Sequence, residues 1–154
     1  ATISSGDKIT VANIRHFVVV PVYNESYEVV KKTLEYIVRA KYDVKSKVVL
    51  FVTYEARMGR AVQNDMIKLS SRFDSKFLGL VLNKHNLKSD EVPGKGANIS
   101  SCDDLILRYC RSNNIEHKDV LVTTLDADNR VSPNYFSILE TIWLLFLKIA
   151  HGQY

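Results

Sequence analysis

This chain has few of the residues that staple, break or specialise a fold. Of its 154 residues, 2 are cysteine, 3 proline, 6 glycine and 1 tryptophan. Two cysteines exclude a disulfide-dense scaffold, and so little proline and glycine excludes collagen-like repeats and low-complexity linkers. The longest apolar stretch, residues 142–147, is far short of the roughly 20 that span a bilayer. The first residues lack the apolar core of a targeting peptide. A dominant charge is also missing. The 21 Lys and Arg stand against 17 Asp and Glu, a net +4 that suits a phosphate-bearing ligand but is too small to argue for nucleic acid.

What remains is the balance of a globular domain, 46% hydrophobic and 25% charged. The length suits one domain over 1–154, with residues 1–15 as an extended or loosely ordered lead-in, and it can bury a core unaided. Cys102 and Cys110 fall in what reads as one helix. At about 1.5 Å per residue they lie roughly 12 Å apart, beyond the ~7 Å reach of a disulfide. Buried, reduced thiols and a reducing compartment are expected.

Continuous apolar runs recur at residues 17–22, 48–53, 77–82 and 120–125. Each is short and rich in Val, Leu or Phe, as in strands covered on both faces. A helical pattern follows each run, over 26–40, 56–73, 97–111 and from Ser132-Pro133 towards Gly152. Ser132-Pro133 is a cap residue followed by proline, a good helix start. The apolar side of the last helix is expected to pack against the sheet. This βαβαβαβα order predicts an α/β fold, an open, mostly parallel sheet with helices on both faces. Ligands of such sheets bind beyond the carboxyl ends of the strands, so the informative residues should follow the apolar runs.

Three segments do so. Asp126-Ala127-Asp128 follows the fourth run, and two carboxylates one residue apart at a strand end can turn towards one hard cation, Mg²⁺ or Mn²⁺. Pro21-Val22-Tyr23-Asn24-Glu25 follows the first run; Tyr23 offers a face for a base, Glu25 an acceptor for ribose hydroxyls, and Asn24 or Ser26 a cap. Gly94-Lys95-Gly96-Ala97-Asn98 closes a long loop over 84–96, and Lys95 next to a helix start suits a diphosphate. The spacing is not that of a P-loop. His16, His85, His117 and His151 share no metal-ligand spacing and read as surface or structural residues.

Together these segments resemble the nucleotide-sugar-binding half of family-2 glycosyltransferases, with the Rossmann-like GT-A fold. The resemblance runs from about residue 16 to 136, carried by the segments 18–25, 94–98 and 124–129 and continued by Val131, Pro133 and Phe136. It implies that Pro21, Val22, Tyr23 and Glu25 line the base and ribose site. It implies that Glu55 faces the base and that Lys95 and Asn98 face the nucleotide or its diphosphate. Asp128 is then the direct ligand of Mn²⁺ or Mg²⁺, and Asp126 lies nearer the ribose or sugar and shares the metal. The implied reaction is inverting transfer of a sugar from a nucleoside diphosphate, most naturally UDP, to a hydroxyl of a glycan, lipid or protein. A cytoplasmic location follows, with membrane contact through a region outside this chain.

The acceptor-binding half of that family, with its acidic general base, and its Q-x-x-R-W segment have no counterpart here. Glu140, inside an apolar helical pattern, is a poor base. The expected reading is a donor-binding half, either part of an enzyme or a non-catalytic nucleotide-sugar-binding module. A Mg²⁺-dependent phosphohydrolase built on Asp126 and Asp128 is a weaker alternative, because Arg130 breaks the usual pattern.

Overall fold

A computed structural model describes residues 11–150 and 152, so His151 and residues 1–10 lie outside it. Four strands form one sheet: β1 (Arg15–Val22), β2 (Val48–Glu55), β3 (Gly79–His85) and β4 (Val120–Thr124). Every pairing is parallel, in the order β3-β2-β1-β4. The fold is α/β. Val19 of β1 lies between Phe51 of β2 and Thr124 of β4. The chain steps outward from β1 to β3, then crosses back to the far side of β1 for β4. The order therefore reverses between β1 and β4, the position where open α/β sheets hold ligands.

The helices are α1 (Tyr27–Val38), α2 (Val44–Lys47), α3 (Arg60–Phe73), α4 (Lys95–Ser100), α5 (Asp103–Ser112) and α6 (Tyr135–Ala150). Successive strand side chains alternate between two apolar cores. Val18, Val20, Val22, Leu50 and Val52 meet Val30, Leu34 and Ile37 of α1 and Met66, Leu69 and Phe73 of α3. Phe17, Val19, Val49 and Phe51 meet Cys102, Cys110 and the α5 residues Ile106 and Tyr109 on the other face. Both cysteines are buried and unpaired. Burying one such Val, Leu or Phe contributes about 1.5–3 kcal/mol, so β1 and β2, buried along almost their whole length, carry most of the sheet's stability.

Several boundaries differ from the sequence pattern. β3 starts later and runs further, because Phe77 turns into the core before the strand begins and Gly79 passes close under the Tyr109 ring. The helix expected from residue 56 begins at Arg60, after a short turn that ends on Gly59 with φ of +94°. The third helix is two, α4 and α5, broken at Ser101-Cys102. The last helix starts at Tyr135 instead of Ser132-Pro133, which form a turn closed by Tyr135 N–H to Ser132 C=O at 3.1 Å. Val11–Asn13 is an exposed helical turn, and the lead-in enters the core at Ile14, which is buried.

Coverage is incomplete at one edge. Among the described residues β4 pairs only with β1, and Val122 is 48% exposed. Only Phe136 and Glu140 of α6 are buried, while Ile138, Ile142, Leu145, Phe146 and Ile149 are exposed, so most of the apolar side of α6 does not pack on the sheet as expected. Among the described residues, no helix is long and apolar enough to cross a membrane.

Candidate functional site

The end of β1 turns sharply at Tyr23-Asn24-Glu25. Glu25 sets this turn, its Oε2 accepting the N–H groups of Tyr23 at 2.8 Å and Asn24 at 3.1 Å. Ser26 then caps α1 by accepting the Val29 N–H at 3.4 Å. Burial pushes the Glu25 carboxyl upward, but the backbone N–H groups and Lys95 outweigh it and hold it below the ordinary glutamate value. One oxygen of Glu25 is therefore committed to its own turn. Pro21 and Val22, assigned to the base site by resemblance, are buried within the sheet.

The end of β4 presents the paired carboxylates. Leu125, Ala127 and Val131 point into the core, so Asp126 and Asp128 point out. The turn is pinned from behind by Thr33 of α1, whose Oγ1 donates to Ala127 C=O at 2.7 Å. Asn129 N–H closes it onto Asp126 C=O at 3.0 Å. Nothing in the sequence pattern singled out Thr33, a β-branched residue in an apolar helix stripe.

Lys95, the first residue of α4, joins the two strand ends. Its Nζ lies 3.2 Å from Glu25 Oε1 and 3.4 Å from Asp126 Oδ1. Partial burial lowers the Lys95 pKa and the two carboxylates raise it, with a net upward shift. Gly94 has φ of +147°, a backbone shape that favours glycine. That shape lets its N–H reach Glu55 Oε1 at 2.8 Å, which anchors the root of Lys95.

Glu55 and Asn98 are wholly buried. The resemblance has Glu55 facing a base, but its carboxylate is held by Gly94 N–H and by the Arg57 guanidinium. A buried carboxylate needs such partners to offset its desolvation. Asn98, expected at the nucleotide, instead donates through Nδ2 to Val22 C=O at 3.3 Å, tying α4 to β1. Its Oδ1 has no hydrogen-bond partner among the described residues. Asn83 of β3 extends this brace, its amide reaching Thr53 Oγ1 at 3.0 Å and Ser101 Oγ at 2.6 Å. The structure adds Arg57 to the site's surface. Its guanidinium carbon lies 5.9 Å from the centre of the Tyr23 ring, with Nη2 3.4 Å from the Tyr23 hydroxyl. A basic residue two places after an acidic one at a strand end was the available signal.

The solvent-facing cluster is thus Tyr23, Glu25, Arg57, Lys95, Asp126 and Asp128, at the reversal point of the sheet. His16 and His85 lie apart from it, both buried. His16 lies near Glu140 at the start of β1, and His85 Nε2 lies 2.9 Å from Glu91 in the loop after β3. Among the described residues, no three His, Cys, Asp or Glu side chains gather to hold a metal by themselves. Asp126 and Asp128 fit a divalent ion of the Mg²⁺ kind, which takes one or two carboxylates and completes its shell from phosphate oxygens and water. Neither a protein-family model nor a curated protein matches the chain.

Proposed function

We propose that this chain is the donor-binding part of a metal-dependent glycosyltransferase that takes a nucleoside-diphosphate sugar, UDP-linked by preference. One observation carries this reading. Lys95 bridges Glu25 and Asp126, so the three segments singled out in the sequence converge on one charged cluster at the reversal point of the sheet. An ammonium between two strand-end carboxylates, one of which sets the turn that carries the half-buried Tyr23 ring, suits a ligand that is anionic at one end and flat at the other. Tyr23 would take the base, with Arg57 on the same ring. Lys95 would contact the diphosphate, and Asp126 and Asp128 would hold Mn²⁺ or Mg²⁺. The ion, when bound, supplies Lewis-acid neutralisation of the departing nucleoside diphosphate. An acceptor hydroxyl would then form a bond to the anomeric carbon as the bond to the diphosphate oxygen breaks, the nucleoside diphosphate leaving and the hydroxyl proton passing to solvent.

A second reading is a nucleotide-sugar-binding module without transfer: Glu140 is buried against Tyr42 at the other end of β1, away from the cluster, and is not placed to act as base. Calorimetry with UDP, GDP and CDP, with and without Mn²⁺, followed by an assay for sugar-nucleotide turnover, tests both readings. Metal-dependent UDP binding that is lost in Asp128→Ala is expected. Binding without turnover selects the module, and a folded sample that binds no nucleotide at any metal concentration overturns both.

A further inference from the structure

We propose that Lys95 makes this site accept a divalent cation only together with a diphosphate, because its ammonium holds Asp126 until phosphate oxygens draw it away. The inference rests on the donor-site reading and adds an order of binding to it. Lys95 Nζ lies 3.4 Å from Asp126 Oδ1 and 3.2 Å from Glu25 Oε1. Asp128, by contrast, has no such partner among the described residues. A divalent ion on Asp126 would bond its oxygen at about 2.0–2.1 Å. Ion and ammonium would then share one carboxylate at a separation of a few ångströms, where like charges repel strongly.

The ammonium can leave without dismantling the loop. The root of Lys95 is fixed by the Gly94 N–H bond to Glu55, while the four-carbon stem above it is flexible and 38% exposed. A diphosphate offers anionic oxygens that replace both carboxylates as partners. Once Lys95 has moved onto it, Asp126 is free to join Asp128 on the metal. Each ligand then strengthens the other's binding by the same factor. Metal chelation by the diphosphate adds to that coupling without any help from the protein. The behaviour of the metal alone is therefore the discriminating quantity.

The test titrates MnCl₂ alone, UDP alone and UDP with MnCl₂ into the full chain, using calorimetry and the electron paramagnetic resonance of free Mn²⁺. Wild type should bind Mn²⁺ alone weakly and UDP with Mn²⁺ well. Lys95→Met, which keeps the stem and removes the charge, should bind Mn²⁺ alone up to about fivefold more tightly, as expected from freeing Asp126 of one exposed ion pair. The same variant should bind UDP with Mn²⁺ more weakly, and Lys95→Arg should keep the wild-type ranking. Matching circular dichroism and thermal midpoints establish that the variants are folded. Unchanged or weaker affinity of Lys95→Met for Mn²⁺ alone, while wild type still binds UDP with Mn²⁺, overturns the role of Lys95 and leaves the nucleotide site standing. Absence of UDP binding in wild type with Mn²⁺ overturns the site and this inference together.

Discussion

Replacing Thr33 by valine isolates the bond that holds the paired carboxylates against the body of the protein. The two side chains have nearly the same shape, and Thr33 is 1% exposed, so packing is preserved and only the hydroxyl is lost. That hydroxyl has two carbonyls within reach, Ala127 at 2.7 Å and Val29 at 3.3 Å, and one proton to donate. The shorter contact is the bond. Its removal leaves the Ala127 carbonyl without a partner in a buried setting, which costs about 1–3 kcal/mol, while the added methyl recovers part of that. We expect a net loss of about 1.5 kcal/mol. For a chain of this length, 1 kcal/mol moves the midpoint by about 2–4 °C, so Thr33→Val should melt about 3–6 °C lower. Urea unfolding should show a lower midpoint at unchanged slope. Thr33→Ser, which keeps the hydroxyl, should retain wild-type affinity for UDP with Mn²⁺, whereas Thr33→Val should lose affinity as the Asp126–Asp128 turn loosens. A Thr33→Val protein as stable as wild type would refute the bond and its role in setting the carboxylates.

Two further substitutions probe parts of the fold that lie away from the site. A Cβ at Gly79 would overlap the Tyr109 hydroxyl, so Gly79→Ala should lose about 1–3 kcal/mol by urea unfolding and lose less in a Tyr109→Phe background. His16 is wholly buried, and burial lowers its pKa from 6.5 while Glu140 pulls it upward. The unfolded chain therefore takes up that proton more readily than the folded one, and stability from this group falls as pH drops below about 6.5. Urea midpoints measured between pH 7.5 and 5 should decline more steeply in wild type than in His16→Leu; equal slopes would remove His16 from the acid response.

The strands were legible because β1 and β2 are covered on both faces and so read as unbroken apolar runs. The outward direction of Asp126 and Asp128 was legible for a related reason. Leu125, Ala127 and Val131 are the apolar residues between and around them, and these point inward. Burial of charged and polar side chains was not legible. Glu55 looks like a free acid at a strand end until Arg57 and Gly94 N–H are seen to hold it. Asn98 looks like a residue at a helix start facing ligand until its bond to Val22 C=O draws it into the core. Gly94 and Val22 come from distant segments of which local pattern carries no trace, whereas Arg57, two places after Glu55, was a local signal. The break between α4 and α5 escaped for the same reason, since Asn83 and Thr53 from two strands organise it. The apolar residues of α6 misled in the opposite sense, because their number suggested a packed face and most of them are exposed.

The pairing of β4 beside β1 has a consequence for how the protein comes into being. Thr33 and Ala127, whose contact sets the carboxylate turn, are 94 positions apart in the chain. β1, β2 and β3 lie side by side in the order of their synthesis, but β4 must travel back across the sheet to reach its place. Contacts between such distant segments form late, because the intervening loop must be closed before they are rewarded. A chain with only its first three strands and α4 docked could bring Tyr23, Glu25, Arg57 and Lys95 together but would lack Asp126 and Asp128. The paired carboxylates Asp126 and Asp128 therefore take their place only when β4 docks beside β1, and metal-dependent ligand affinity reports on that docking.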